Sequence, residues 1–264
     1  MTRMQSFLDL HVPGDPLLLP NPWDAGSARI LASLGYRALA TTSSGFAATL
    51  GRLDGSVTRA EALAHAAAVV RATGLPVSAD LENCFADDLS GVAETVAGAA
   101  GVGLAGCSIE DASGTDAALI YAADRAAERV RAAVEAAAGR LVITARAENF
   151  LHGRDDLADT IDRLQRYQEA GAHVLYAPGL RTAEQIRTVV ESVDRPVNVL
   201  AMPKVPSVAE LADLGVARIS VGGAFAYAAL GGLVDAAREL LDSGTYGYLR
   251  QSGTGRSAVD QAFT

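Results

Sequence analysis

Gly171-Ala-His-Val-Leu-Tyr176 is the stretch that decides the fold. A helical pattern over 155–170 ends at the glycine, the residue that adopts the left-handed turn out of a helix at little steric cost. An apolar, β-favouring run follows two residues later. The same grammar recurs in both directions: Gly35, Gly74, Gly139 and Gly215 each close a helical pattern and precede a strand-like run. Working outward, the strand-like runs are 17–19, 38–42, 76–81, 106–109, 141–145, 173–176, 196–200 and 217–221. Helical patterns lie near 24–34, 58–73, 90–101, 122–138, 155–170, 182–192, 207–214 and 224–241. Three helix starts show capping-box spacing, Thr58 with Glu61, Thr182 with Gln185 and Ser207 with Glu210, so side chains satisfy their first free N–H groups. Repeated β-α alternation requires parallel strands with right-handed crossovers, and eight repeats predict a closed (β/α)8 barrel of the TIM type. The dinucleotide fingerprint is missing, since the first strand runs into Asn21-Pro-Trp-Asp-Ala-Gly26, which argues against an open Rossmann sheet.

The 264 residues, half of them hydrophobic, suit one barrel domain over 1–243. The remainder, 244–264, reads as a loop-like C-terminal tail, loosely ordered or docked on a neighbour. A net charge of −9 with a single lysine, Lys204, leaves no basic stripe for phosphates, so nucleic acid is excluded as a partner. No apolar run is long enough to span a membrane, and residues 1–10 carry no signal-peptide pattern. Two cysteines, Cys84 and Cys107, make no disulfide framework, and a cytoplasmic location is expected.

In such a barrel the chemistry sits at the carboxyl ends of the strands. That rule selects Asn21, Trp23 and Asp24 after the first strand, Thr42-Ser-Ser-Gly45 after the second, and Asp80 and Glu82 after the third. It then selects Glu110 and Asp111, Arg146 and Glu148, Tyr176, Asn198, and Gly222-Gly223. Asp80, Glu82 and Glu110 are expected on one rim, with Asp54 able to join them. Several carboxylates without a lysine repel one another in a water-poor cleft. A hard cation, Mg²⁺ with Mn²⁺ as the alternative, would absorb that charge. Arg146 is the natural clamp for a substrate carboxylate, or else a salt-bridge partner of Glu148 or Glu110. Thr42, Ser43, Ser44 and Gly45 offer hydroxyl and N–H donors, and a plain turn would use the same residues. Lys204 and His152 read as loop residues, Cys107 as a core thiol, and Gly222-Gly223 as a close-packing pair rather than a phosphate site.

Together these residues resemble the isocitrate lyase/phosphoenolpyruvate mutase superfamily over most of the chain. The carrying segments are Leu19-Pro-Asn-Pro-Trp-Asp-Ala-Gly-Ser-Ala28, Thr41-Thr-Ser-Ser-Gly45, Ala79-Asp-Leu-Glu82, Ser108-Ile-Glu-Asp111, Thr144-Ala-Arg146 and Pro196-Val-Asn-Val-Leu-Ala201. The resemblance implies that Asp80, Glu82 and Glu110 hold Mg²⁺, with Asp54 near it. It also places the substrate-carboxylate arginine on Arg146 and the oxyanion-contacting turn on Thr42 to Gly45. It implies C–C or P–C bond chemistry beside a 2-oxo or 2-hydroxy carboxylate, through an enolate that the metal stabilises. The swapped last helix of the family implies a tetramer, a dimer of swapped dimers.

The chain departs from the family's pattern as well. The lyases' Lys-Lys/Arg-Cys-Gly-His loop is replaced by Asp111-Ala-Ser-Gly-Thr-Asp-Ala-Ala-Leu-Ile-Tyr121, with no Lys, Cys or His. The Gly-Tyr/Phe-Gly after the acid pair becomes Asn83-Cys-Phe-Ala86, and a strand-6 glutamate falls near Pro178. The enolate-stabilising half of the site is therefore present. The proton-transfer half falls to a water, Asp111, Thr115 or Asp116. The expected function is a Mg²⁺-dependent lyase or mutase-like enzyme acting on a small 2-oxo-diacid by decarboxylation or retro-aldol cleavage, with Glu110, Asp54 and Arg146 as catalytic residues and Thr42, Ser43, Ser44, Gly45, Trp23 and Asn198 contacting substrate. The alternatives are a 2-oxo-acid-binding protein without turnover, phosphonopyruvate-type P–C chemistry, and a metal-free barrel binding a phosphorylated substrate at Gly222-Gly223.

Overall fold

A computed structural model describes residues 3–115 and 118–263. After a short helix α1 (Arg3–Leu8) the chain runs β1 (Leu17–Leu19), α2 (Ala25–Ser33), β2 (Leu39–Ala40), α3 (Ser43–Thr49), α4 (Arg59–Ala72), β3 (Val77–Asp80), α5 (Leu89–Gly101) and β4 (Gly106–Glu110). Two further strands, β5 (Ala112–Thr115) and β6 (Ala118–Ile120), precede α6 (Ala123–Ala137) and β7 (Val142–Arg146). Then come α7 (Leu157–Glu169), β8 (Val174–Tyr176), α8 (Ala183–Glu191), β9 (Val197–Leu200), α9 (Val208–Asp213), β10 (Arg218–Ser220), α10 (Ala224–Arg238) and α11 (Leu249–Ala262).

Eight strands pair in parallel in the order β1-β10-β9-β8-β7-β4-β3-β2. Between the two ends of that row the Ala40 N–H donates to the Pro20 carbonyl at 3.1 Å, so the sheet is a nearly closed barrel. Strand alternation sorts the side chains. Ile143, Ala145, Leu175, Val197, Val199 and Ile219 face outward into the core shared with the helices. Leu17, Leu19, Val142 and Val174 face inward, where Met4 and Phe7 join them and close the barrel's lower end. Gly106 makes room for that closure: a Cβ there would stand 2.7 Å from the Val142 carbonyl oxygen and 3.0 Å from the Phe7 ring. The three expected capping boxes form, and a fourth joins Asp24 and Ser27 at the start of α2.

Three segments differ from the sequence reading. The 42–45 stretch is the first turn of α3 rather than a free turn, because the Thr42 hydroxyl accepts from the Gly45 N–H and caps the helix. The 112–120 stretch pairs as an antiparallel ribbon, β5 with β6. Asp116 lies outside the described residues. The tail is no loop: α11 spans Leu249–Ala262, with Phe263 seated against Gly26 of α2 and beneath Arg29, whose guanidinium lies 6.0 Å from the ring centroid. Its glycines and serines give a weak helical pattern, and packing on α2 overrides that weakness.

The last barrel helix is unusual. Only Ala226 of α10 is buried, whereas Phe225, Tyr227, Leu230, Leu233 and Val234 are all exposed. At the same time Leu18, on the outer face of β1, is 41% exposed. A barrel strand and its covering helix thus both leave apolar surface bare.

Candidate active site

Two adjoining cavities open at the carboxyl ends of the strands. The inner one, about 250 Å³, descends between β2, β3, β9 and β10 and is lined by Ala40, Ser78, Asp80, Ser108, Tyr176, Asn198, Arg218 and Ser220 among others. The outer one, about 380 Å³, is lined by Glu82, Asn83, Glu110, Ala112, Glu148 and His152. Ser43, Asp54, Arg146 and Leu151 line both and form the shared wall.

Arg146, at the end of β7, is the hub. Its Nη1 lies 3.1 Å from Asp80 Oδ1 and 3.0 Å from Glu110 Oε2, and its Nη2 lies 2.8 Å from Glu148 Oε1. Its guanidinium also stands 5.2 Å from the Tyr176 ring centroid. The cross-strand register brings these groups together, since Glu110 pairs with Arg146 and Arg146 with Tyr176. The other oxygen of Asp80 accepts from the Ser43 hydroxyl at 3.1 Å.

One guanidinium faces three carboxylates here, so they cannot all be ionised cheaply. Burial pushes the Glu110 carboxyl well above its usual range, and Glu148, Asp80 and Glu82 push it further against the pull of Arg146. Burial likewise raises Glu148, opposed by Arg146. Both acids pair with Arg146, yet both are pushed upward, because one cation cannot neutralise three anions in a poorly hydrated site. Glu82 is pushed up to about 7, by burial first and then by Asp80 and Asp54. Its Oε1 is buried with no hydrogen-bond partner among the described residues.

The loop carrying Glu82 is held in strained backbone. Glu82, Cys84 and Phe85 have φ of 49°, 62° and 53°, a region that costs a non-glycine residue on the order of 1 kcal/mol or more. Arg129, buried on α6, reads the loop's carbonyls: Nη1 donates to Asp87 O at 2.9 Å, and Nη2 donates to Ala86 O at 2.8 Å and to Asn83 O. Thr95 Oγ1 donates to Cys84 O at 2.7 Å. These donors hold Glu82 towards the cavity. Beneath the site, Asp111 accepts from Arg163 Nη1 at 2.9 Å, Tyr167 Oη at 2.7 Å and the Glu148 N–H at 2.8 Å.

The structure thus sorts the expected site residues. Asp80, Glu82, Glu110, Asp54, Arg146, Thr42, Ser43, Ser44 and Asn198 all line one or both cavities. Gly45 and Trp23 support rather than line. A Cβ on Gly45 would stand 3.2 Å from that of Trp23, and the Trp23 carbonyl bonds His65 Nε2 at 3.0 Å. Three expectations are corrected. Among the described residues no three His, Cys, Asp or Glu side chains converge tightly enough to hold a metal ion, so Asp80, Glu82 and Glu110 do not form a three-ligand cage; Arg146 stands between Asp80 and Glu110. Arg146 is not a free clamp, since protein carboxylates already take it. Asp111 is no proton carrier, because it lies 3% exposed with three protein donors.

Of the Gly222-Gly223 pair, Gly223 is the closely packed one: a Cβ there would stand 2.5 Å from Ser44 Oγ and 2.8 Å from Tyr227, whereas one on Gly222 would meet Leu200 at 3.4 Å. Cys107 is buried with its thiol held well above the usual range, and Lys204 lies outside both cavities. Sequence reasoning passed over Arg218, and it selected Asn21 without giving it a role. Asn21 Oδ1 accepts from the Val221 and Gly222 N–H groups at 3.0 Å each, and its Nδ2 donates to Thr41 O at 2.9 Å, tying β1 to the loops beside it. Arg218 had one legible signal, a charge at an inward position of an apolar strand.

Fold and site define a (β/α)8 barrel enzyme class with an acid-rich, arginine-bridged mouth. The chain belongs to the phosphoenolpyruvate phosphomutase family, which matches residues 7–241, within the isocitrate lyase/phosphoenolpyruvate mutase superfamily. A Burkholderia cenocepacia J2315 structure described as a candidate lyase/mutase is 49% identical, covers 97% of this chain and 94% of its own, and superposes with a TM-score of 0.93. An uncharacterized Mycobacterium tuberculosis protein is 35% identical over 239 residues, 90% of this chain and 89% of that one. The oxaloacetate decarboxylase of Pseudomonas fluorescens is 31% identical over 243 residues, 82% of this chain and 77% of that one. Among the described residues no helix is long and apolar enough to cross a membrane.

Proposed function

We propose that this protein is a Mg²⁺-dependent carbon–carbon lyase of the cytoplasm, acting on a small 2-oxo- or 2-hydroxy-dicarboxylate through an enolate. Decarboxylation of an oxaloacetate-like diacid is the first reaction to test. The observation that carries the reading is the excess of carboxylates over cations at the mouth, together with the buried, unpartnered Oε1 of Glu82. That all-oxygen donor set suits a hard cation held by one or two carboxylates with retained waters, the usual mode for Mg²⁺. Asp80 and Glu82 are the residues that would hold it, with Asp54 beside them. The chemistry gained with Mg²⁺ held there would be positive charge against the negative charge that develops on the substrate's oxygens.

The chain's own residues do the rest. Ser43 Oγ, now on Asp80, orients that carboxylate. Arg146 shares its charge among Asp80, Glu110 and Glu148, and it is released towards substrate to the extent that Asp80 finds another partner. Glu110, 3.0 Å from Arg146 and with its carboxyl pushed by burial well above its usual range, is the acid that would protonate the enolate carbon in place of the absent loop cysteine. The decisive measurement is pyruvate release from oxaloacetate with and without Mg²⁺. Mg²⁺-dependent release supports the proposal, and Mg²⁺-dependent binding without product replaces it with a binding protein.

The bare stripe of α10 and the exposed Leu18 of β1 support a homo-oligomer in which α10 covers a neighbouring copy's barrel. Leu233→Asp, on that stripe, is expected to convert the assembly to a monomer by light scattering; an unchanged mass would refute the exchange.

A further inference from the structure

We infer that Arg218, at the floor of the inner cavity, is a second anion subsite that receives the distal acidic group of a dianionic substrate. This inference rests on the proposed function for the site's location and extends it by assigning what reads the far end of the ligand.

Arg218 is 4% exposed, yet it lines the inner cavity. Its protein partners are all neutral. Nε donates to Asn198 Oδ1 at 2.9 Å, and Nη1 to Thr144 Oγ1 at 3.1 Å and to His11 Nε2 at 3.3 Å. His11 Nδ1 sits 3.0 Å from Phe7 O, so that nitrogen carries the proton and Nε2 accepts. No carboxylate pairs with Arg218 and nothing bonds its Nη2, among the described residues. Arg146 has the opposite surroundings, with three carboxylates around one guanidinium. A buried charge left without a counter-ion is costly, and that cost is relieved by an anion arriving through the cavity that Arg218 lines.

The register makes the two arginines ends of one row. Arg146 pairs with Tyr176, Tyr176 with Asn198, and Asn198 with Arg218, so the row descends from the rim to the interior. A ligand whose 2-oxo or 2-hydroxy end meets Asp80 and Ser43 would point its other end down this row. At about 250 Å³ the cavity suits a molecule smaller than a drug-sized ligand. The fork of Arg218 matches a terminal carboxylate better than a methyl group.

Calorimetric titration with malate and with 2-hydroxybutanoate tests this, because the two differ only in a terminal carboxylate against a methyl. Each is run with Mg²⁺ and with chelator. The wild type is expected to prefer malate by about 10- to 100-fold, the range of a charge-assisted contact. Arg218→Gln should abolish that preference while changing 2-hydroxybutanoate affinity by less than about threefold. Equal affinities in the wild type overturn the inference on their own, even should the variant prove too unstable to titrate, and so does a preference that survives Arg218→Gln. Preference for malate that needs Arg218 but not Mg²⁺ upholds this subsite and counts against the metal; Mg²⁺-dependent binding indifferent to Arg218 does the reverse.

Discussion

The two ends of the barrel interior are built from the same inward-facing positions and opposite materials. At the lower end Phe7, Leu17, Val142 and Val174 exclude water with almost nothing polar among them. At the upper end Asp80, Glu110, Arg146 and Tyr176 occupy inward positions further along the same strands or their neighbours. Stability is concentrated below and chemistry above, and the upper end tolerates repulsion and backbone strain that the lower end pays for. Variants should separate the two.

The largest expected effect is at the lower end. Phe7→Ala empties a fully buried ring site and should cost about 3–5 kcal/mol of unfolding free energy, measured by denaturant titration, with little change in KM at temperatures where the variant is folded. A loss below about 1 kcal/mol would mean the plug does not carry the barrel's stability. Next, Asp80→Ala should lower kcat for Mg²⁺-dependent turnover by about 10²–10³-fold, the scale of removing one preorganised electrostatic contact. Its circular dichroism should match the wild type, and unchanged Mg²⁺ affinity would reject Asp80 as a ligand.

Arg129→Met comes third. Freed of its clamp, the Glu82 loop should relax, and the Mg²⁺ concentration for half-maximal activity should rise about tenfold, on the order of one lost charge-assisted hydrogen bond. The substrate KM at saturating Mg²⁺ should barely move, whereas a merely structural role would shift both together.

The smallest effect is on stability and carries a sign. Glu82 has a folded-state value of about 7 against an unfolded value near 4.3. The folded state therefore binds the proton more tightly, and metal-free stability falls as pH rises from roughly 4.5 through 7. Glu82→Gln should remove that fall and stabilise the metal-free protein at pH 8 by no more than about 2 kcal/mol, given its partial exposure to water. At pH 4 the gain should vanish. Thermal melts in chelator at both pH values check it, and a gain of equal size at pH 4 would show that burial of charge is not the cause.

Much of this arrangement was legible in the linear chain, because alternation, capping boxes and helix-exit glycines are local signals. The strand-end rule then pointed to Asp80, Glu82, Glu110 and Arg146 without any coordinates. The partner of each was another matter. Arg146 at a strand end reads equally as a substrate clamp or as a salt-bridge donor, and only the register of β4 against β7 decided for the latter. Asp111 stands one residue from Glu110, yet strand alternation turns it the other way, onto Arg163 and Tyr167. The tail read as a loop because Gly253, Gly255 and the serines around them carry little helical propensity, and its helix depends on a surface of α2 that lies more than 200 positions earlier in the chain.

By itself, then, the sequence determined the eight-fold β-α repeat, the parallel sheet and the set of acids gathered at one end, since each follows from periodicities of two and 3.6 residues. Only the tertiary structure decided which carboxylates share Arg146, which backbone is strained to aim Glu82, and that Arg218 sits on a cavity with no acid beside it among the described residues. Those are statements about pairs of residues dozens of positions apart, and the distance between them is set by barrel closure, which no local pattern encodes.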